Sequence, residues 1–314
     1  MATDLHLPPT PHHPRAGRPP RARRSLPQWA RIFLTGGGLW IATVVTTFAT
    51  GNVNLVPTII LVGAFLVPVT FVAYAFARAD DVVTAPRIFS AFLYGGVAGV
   101  LGASVLESAF VHRESLGAFL GVGVIEEGVK LAVLWLTARR LTRHTVRDGL
   151  VLGATVGFGF AAFESAGYAF HALFTAGDGL SLLDVVQTEV LRGVLTPFGH
   201  GLWTAVLGAA LFGAASRRGR LTLRDRTVVL AFAGVSALHG LWDAAHLAAA
   251  WLTLYLTGSG AAWSTLTAGG GFSPTPEQVR LDTFLGFALP VLDALVGVAV
   301  VTVVVLRVRR RTRG

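Results

Sequence analysis

The amino-acid sequence predicts an all-α, polytopic membrane protein. Of its 314 residues, 53% are hydrophobic and only 14% are charged, and the mean hydropathy is +0.63. A soluble domain carries about 25% charged residues, so this composition excludes an ordinary soluble enzyme. The apolar residues fall into segments of about 20 residues, the length that crosses a bilayer as a helix. We therefore expect about eight transmembrane helices, with a layer of polar residues in the central ones.

The predicted helices follow one another along the chain, separated by short polar or arginine-bearing loops. Each segment is bounded where the apolar run ends. The eight segments are 32–50, 55–77, 88–110, 116–138, 149–174, 187–215, 227–256 and 283–306.

Basic segments flank this predicted transmembrane domain, which covers 26–306. Residues 1–25 combine proline, arginine and histidine with few apolar side chains, a composition that predicts disorder. No short apolar region with a cleavage site follows them, so they are not expected to be a signal peptide. Residues 307–314 form a second basic tail. The absence of cysteine excludes disulfides, thiolate zinc sites and a cysteine nucleophile.

The arginines predict the orientation of the helices, because basic loops of membrane proteins stay in the cytoplasm. The loops at 78–87, 139–148 and 217–226 and both tails carry arginines, whereas the alternate loops hold only Arg113 and Arg280. Both termini are therefore expected in the cytoplasm. Arginine makes up 25 of the 26 basic residues, which is typical of a GC-rich bacterial genome, so we expect a bacterial cell membrane. The net charge of +9 is explained by this orientation, so no nucleic-acid partner is expected. Nothing in the sequence specifies an oligomeric state.

Glycines spaced four residues apart predict close contacts between the central helices. A small residue at every fourth position lets two membrane helices approach closely. The pattern predicts that the third, fourth and fifth helices pack together. It occurs at Gly95/Gly99, Gly117/Gly121 and Gly149/Gly153/Gly157.

Ionisable residues inside the predicted helices concentrate in four consecutive spans. Each costs about 2.5–3.5 kcal/mol at the bilayer centre, so such residues are functional candidates. With a rise of about 1.5 Å per residue, they fall in a common layer near the midplane. They are Glu126, Glu127 and Lys130 in the fourth helix, Glu164 in the fifth, His200 in the sixth, and His239, Asp243 and His246 in the seventh.

Lys130 is the only lysine of the chain and lies in the string EEGVK. On a helix it is a neighbour of both Glu126 and Glu127, while the two adjacent glutamates point about 100° apart. One glutamate can pair with Lys130 while the other faces a neighbouring helix.

Two further helical spacings extend the predicted polar layer. His239 and Asp243 are four residues apart, so the aspartate could orient or charge the imidazole. Tyr168 lies one turn from Glu164, where its hydroxyl could reach the same cavity.

Two kinds of chemistry fit these residues. A glutamate with a water and a histidine nearby is a general acid–base arrangement. Histidines and a glutamate could instead hold a divalent metal such as zinc, and the candidate ligands are His200, His239 and Glu164. A polar network that only locks helices together is the alternative. We favour that alternative for Glu107, Asp293 and His246 taken singly.

A polar pair that only holds two helices together would not need residues on four helices. The ionisable residues that are spread over four helices therefore favour catalysis. The predicted catalytic residues are Glu126, Glu127, Glu164, His200 and His239. The predicted supporting residues are Lys130, Tyr168 and Asp243.

These motifs resemble those of the PrsW family of bacterial intramembrane proteases, which is distantly related to the CAAX-prenyl protease and Abi family. EEGVK (126–130) resembles the EExxK motif and FESAGY (163–168) the FExxxY motif, while His200 and HGLWD (239–243) resemble the later histidine motifs. The resemblance covers about residues 85–250, in the expected order. Lys130 stands where the CAAX branch typically has arginine, which favours the PrsW branch.

The resemblance implies hydrolysis of peptide bonds in membrane-anchored proteins, including anti-sigma factors. Glu126 or Glu127 would activate the attacking water with support from Glu164. His200 and His239 would act as proton carriers, oxyanion donors or ligands. The family has been labelled metalloprotease, whereas its CAAX relatives resemble glutamate-dependent enzymes. The sequence lacks HExxH, so we favour a glutamate/histidine mechanism and keep a metal open.

Other membrane functions fit less well. A serine mechanism would place Ser236 and His239 three residues apart on one helix, in the wrong geometry for attack. No GxGD string surrounds Asp243 or Asp293 to support an aspartyl mechanism. A proton- or ion-coupled transporter also uses buried carboxylates, but such proteins usually have repeated halves. No internal repeat is found in the sequence, which counts against a transporter. We keep the transporter as the alternative to the protease.

Overall fold

Long helices joined by short turns make up the computed structural model, which describes residues 26–79, 81–174, 180–259 and 273–311. No β-strand occurs in these ranges. The predicted disordered tail at 1–25 lies outside them. The last helix continues to Arg311, so the first residues of the predicted C-terminal tail are helical.

The helices are numbered here in chain order. They are α1 Gln28–Thr50, α2 Val56–Phe76, α3 Ala85–Leu93, α4 Gly99–Phe110, α5 Leu116–Ala138, α6 Val146–Ala172, α7 Leu182–Leu195, α8 His200–Arg218, α9 Arg226–Asp243, α10 Ala245–Thr257 and α11 Pro276–Arg311. A π-helical stretch, Tyr94–Ala98, joins α3 to α4, and short 3-10 turns precede α2 and α8.

Six helical stretches of the described residues are long and apolar enough to cross a membrane. The α9–α10 pair, bent by 69°, makes a seventh if it is one span. Helix α5 has 23 residues but holds Glu126, Glu127 and Lys130 in its centre, so its composition alone does not mark it as a span. With α5 included, every predicted segment corresponds to helical structure. The predicted all-α polytopic fold is confirmed.

Two of the predicted spans are interrupted beside polar residues. The sixth consists of α7 and α8, separated by the turn Thr196–Phe198, so His200 begins α8 instead of lying within a longer helix. Pro197 explains the break, because a proline disfavours helix at the residue before it. The seventh span bends at Ala244, immediately after Asp243. Both runs are mainly apolar, so their composition alone did not reveal the breaks.

The helix contacts of α6 depend on its glycines. A Cβ atom added at Gly149, Gly153 or Gly157 would overlap the backbone of α8. Gly95 likewise meets the backbone of α6, so the predicted contact of the third and fifth spans is confirmed. The main partner of α6 is nevertheless α8, which the spacing did not identify.

The fourth span packs against the third as predicted, but not through the glycines that were expected to make the contact. Gly117 and Gly121 have no neighbouring helix within reach of an added Cβ atom. Gly123 instead lies against the backbone of Ser236 and Gly240 on α9. The spacing of glycines identifies a helix face that lacks side chains, but it does not identify the helix that packs against this face.

The core of the bundle lies among α5, α6, α8 and α9. Its largest buried side chains include Trp203, Phe160, Phe212 and Lys130. In contrast, α1 and α11 bury few residues and expose apolar side chains such as Leu39. Exposed apolar helix faces of this kind suit contact with lipid, so the outer helices shield the central ones.

Asp225 fixes the start of α9 outside the predicted spans. Its carboxylate accepts hydrogen bonds from Arg218 Nε at 2.6 Å and from the Thr227 backbone N–H at 2.9 Å. The bond from Arg218 and then that from Thr227 lower the pKa of Asp225 to about 2. The carboxylate therefore remains charged, as suits an N-cap.

Replacing Gly153 by valine should destabilise the bundle, because the added methyl groups would collide with the α8 backbone. Overpacking of this kind costs about 1–3 kcal/mol or more. Reversible unfolding in mixed detergent micelles would measure the loss. Gly121→Val is the matched control and should change the free energy of unfolding by less than about 0.5 kcal/mol. Equal stability of the two variants would contradict backbone contact between α6 and α8.

Candidate active site

Helix α5 brings two glutamates and a lysine together inside the bundle. Lys130 Nζ lies 3.0 Å from Glu126 Oε2 and 2.9 Å from Glu127 Oε1, and the lysine is 0% exposed. The ammonium also lies 3.9 Å from the centre of the Phe160 ring. The predicted spacing is therefore observed, but Lys130 binds both glutamates instead of only one.

The two adjacent glutamates differ in their partners. Glu127 Oε1 also lies 3.0 Å from His239 Nδ1, and Glu127 Oε2 lies 3.5 Å from Thr204 Oγ1. All contacts described for Glu126 involve its Oε2 atom. Glu126 is 6% exposed, whereas Glu127 is fully buried. Glu127 is thus held on both oxygens, while Glu126 keeps one oxygen available to another molecule.

His200, the first residue of α8, connects Lys130 to a third carboxylate. Its Nδ1 atom lies 2.8 Å from Lys130 Nζ, and its Nε2 atom lies 3.0 Å from Glu164 Oε2. An ammonium can only donate hydrogen bonds, so Nδ1 accepts and Nε2 carries the proton that is donated to Glu164. The aromatic rings of Phe160 and Trp203 lie against the imidazole and fix its orientation.

His239 on α9 has carboxylates beside both ring nitrogens. Nδ1 faces Glu127, while Nε2 lies 3.5 Å from Glu126 Oε2 and 3.4 Å from Asp243 Oδ2. The ring of Trp203 stacks on the imidazole at 4.8 Å. A neutral imidazole has one donor nitrogen, so a proton or another cation is needed between Nε2 and these carboxylates.

The predicted residues therefore meet in one network, with one exception. Asp243 lies beside His239, and Glu164 lies beside His200, as described above. Tyr168 is 55% exposed, and its ring packs on the guanidinium of Arg192 at 4.3 Å. Its hydroxyl forms no hydrogen bond within the described part of the chain, and Tyr168 contacts the network through Arg192, which binds Glu164.

Arg192 on α7 is a member of the network that sequence reasoning missed. Its guanidinium bonds Glu164, and its Nε donates to Ser165 Oγ at 2.8 Å. Arg192 and Glu189 both fall within the predicted span 187–215, so an inventory of ionisable residues in that span would have found them. Glu189 is buried at 3% exposure, and neither carboxylate oxygen has a partner within the described residues.

Three residues have the spacing of a metal site. One ligand atom each from Glu126, His200 and His239 lies within 4.8 Å of the others. The ligand set predicted from the sequence contained Glu164 in place of Glu126. Glu164 instead lies on the Nε2 side of His200 and is bound by Arg192, whereas Glu126 lies between the two histidines.

The chemistry of this donor set fits a divalent metal. Two imidazoles and one carboxylate can hold zinc and leave a fourth position for water. Glu127 and Glu164 lie on the opposite nitrogens of the two histidines, as carboxylates do around metal-bound histidine. Lys130 contacts the same Glu126 oxygen and His200 Nδ1 atom, so a metal could bind there only if the ammonium moved away.

The formal charge of the network also indicates that an additional cation or proton is needed. The hydrogen-bonded network contains four carboxylates and two basic side chains. With neutral histidines this leaves a formal charge of minus two. One divalent metal or two bound protons would offset it, and uncompensated buried charge is costly.

The order and helical placement of these residues agree with a known protein family. Residues 83–266 match the family model described as PrsW family intramembrane metalloprotease. The chain belongs to the PrsW family. It is a multi-pass membrane peptidase that carries out intramembrane proteolysis, which decides against the transporter alternative. No curated protein and no solved structure matches the chain.

In this PrsW-family protein, replacing Lys130 by methionine should destabilise the bundle strongly. The change would remove the ammonium that lies between two buried carboxylates, and breaking a buried ion pair costs about 3–5 kcal/mol. Lys130→Arg keeps the charge and should retain more of the stability. Unfolding of both variants in detergent micelles would test this. A methionine variant as stable as the native protein would show that the ammonium is not needed for folding.

Proposed function

We propose that this PrsW-family protein hydrolyses peptide bonds of membrane-anchored proteins with a water activated by Glu126. The observation that supports this assignment is the difference between the adjacent glutamates. Glu127 is bound on both oxygens, whereas the contacts of Glu126 leave Oε1 available. A general base must reach the proton that it abstracts, and Glu126 meets this requirement best.

In the proposed reaction, Glu126 accepts a proton from water as the water oxygen bonds to the carbonyl carbon. The carbonyl oxygen becomes an oxyanion, which the positive charge of Lys130 would stabilise. The carbon–nitrogen bond then breaks and the leaving amine takes up a proton. His239 Nε2, 3.5 Å from Glu126 Oε2, is the nearest imidazole nitrogen to carry that proton.

Glu127 acts on His239 as a positioning residue in this proposal. Its Oε1 atom accepts from Nδ1 of the imidazole at 3.0 Å, so the other nitrogen faces Glu126. A buried carboxylate that fixes a histidine tautomer serves the same purpose in hydrolases with a catalytic triad. Glu164 has the corresponding relation to His200, and Arg192 holds Glu164 in place.

A divalent metal such as zinc would be held by Glu126, His200 and His239. It would supply a Lewis acid that lowers the pKa of a bound water. Because Lys130 already contacts two of the candidate ligand atoms, we favour the reaction in which Glu126 and His239 act without a metal.

The proposed substrates are single-pass membrane proteins, including anti-sigma-factor-like proteins. The site lies inside a helical bundle and is almost fully buried, so a substrate must approach within the bilayer. The breaks at Gly199 and Ala244 place helix ends beside His200 and Asp243, where an unwound substrate segment would lie next to the reacting groups. The arginine pattern supports a cell-membrane location with both termini in the cytoplasm.

Glu126→Gln should lower the rate of substrate cleavage by about 100-fold or more while leaving the protein folded, because general-base catalysis contributes about 100- to 10,000-fold. Cleavage of single-pass proteins in proteoliposomes, followed by mass spectrometry, would measure the rate. Glu127→Gln should reduce both cleavage and stability, because it weakens the contacts with Lys130 and His239. Glu277→Gln is the control, since Glu277 is exposed in the first turn of α11. Native cleavage by the Glu126 variant would refute its role as base.

Metal removal provides a separate test. We expect chelation of the purified enzyme to change the cleavage rate by less than about twofold, because the activating groups are side chains. Metal content should be measured by elemental analysis on the same sample. Loss of activity after chelation, restored by zinc, would contradict the metal-free reaction and assign Glu126 as a ligand.

A further inference from the structure

A groove of about 560 Å³ lies between α3 and the end of α5. Three arginines, Arg87, Arg139 and Arg140, line it. We call this feature the basic groove. It includes none of the residues of the candidate active site.

The arginines of the basic groove lie at the ends of helices that cross the membrane. Arg87 is two residues after the start of α3, and Arg139 and Arg140 directly follow the last residue of α5. This is the depth at which lipid headgroups meet the ends of membrane helices. The groove therefore opens where a lipid phosphate would lie.

No carboxylate in the described ranges pairs with these three guanidinium groups. Arg87 donates to the backbone oxygen of Val82, and Arg139 lies 5.9 Å from the centre of the Trp135 ring. Both contacts leave the positive charge uncompensated. Guanidinium groups bind phosphate oxygens in pairs of parallel hydrogen bonds, so an anion with several oxygens fits this end of the groove.

The rest of the groove is mainly apolar. Val133 and Leu136 line it on α5, and Tyr94 and Ala98 line it along the α3–α4 span. Ala98 is eleven residues beyond Arg87, a distance of about 16 Å along a helix. An inorganic phosphate would leave this wall uncovered, whereas a hydrocarbon chain would cover it.

We propose that the basic groove binds an anionic glycerophospholipid. The arginines hold the phosphate, and one acyl chain lies along the apolar wall towards Ala98. Basic pockets between membrane helices bind anionic lipid headgroups in this way. The occupant would also join the start of α3 to the end of α5, the helix that carries Glu126 and Lys130.

Lipid binding to the purified protein in detergent micelles tests the proposal without reference to proteolysis. Dioleoyl phosphatidylglycerol and dioleoyl phosphatidylcholine serve as probes, with retained lipid counted by native mass spectrometry. We expect at least about tenfold tighter retention of the anionic lipid, since each nearby arginine contributes about 1 kcal/mol. The triple variant Arg87→Gln, Arg139→Gln, Arg140→Gln should lose this preference.

Two further variants keep the test decisive. Arg220→Gln, Arg224→Gln, Arg226→Gln removes the same charge from another loop and should keep the preference. Ala98→Leu places a larger side chain in the apolar part of the groove. It should weaken binding of the long-chain lipid but not of a short-chain phosphatidylglycerol. Equal losses in the two triple variants would overturn the proposal, as would displacement of the lipid by inorganic phosphate or by a soluble acidic peptide at equal concentration.

Discussion

The buried ammonium of Lys130 is the interaction on which the rest of the active site depends. A charged lysine within a membrane helix is costly unless it is paired. Its three N–H groups have three partners, at 3.0, 2.9 and 2.8 Å, in Glu126, Glu127 and His200. The first two lie on its own helix, and the third starts α8. One side chain thus offsets part of the negative charge of α5 and links this helix to a second one.

The close contacts of small residues allow the other links of this network. Gly123 brings α5 against the backbone of α9, where Glu127 reaches His239. Gly157 of α6 lies against the carbonyl of His200, and Glu164 of the same helix then reaches the imidazole. Packing without intervening side chains therefore sets the distances between polar groups. The glycine faces and the polar layer are two parts of one arrangement.

Sequence patterns predicted what is local and missed what depends on tertiary contact. The spans followed from runs of apolar residues, and the Lys130 pairs followed from helical spacing. The bond between Arg192 and Glu164 joins residues 28 positions apart, which no local period encodes. The same reason explains why Glu126, not Glu164, lies between the histidines. The break before His200 was readable in part, because Pro197 marks it.

The two adjacent glutamates differ in role because their side chains point in different directions from α5. Successive positions on a helix point about 100° apart, so Glu127 faces α8 and α9 and meets Thr204 and His239. Glu126 shares the ammonium but has no comparable cover on its second oxygen. A carboxylate that is bound through one oxygen has a fixed orientation, and its second oxygen can still accept a hydrogen bond. A general base needs both properties before water binds. A free oxygen on Glu127 would instead lie against Thr204 of α8, in the fully buried interior.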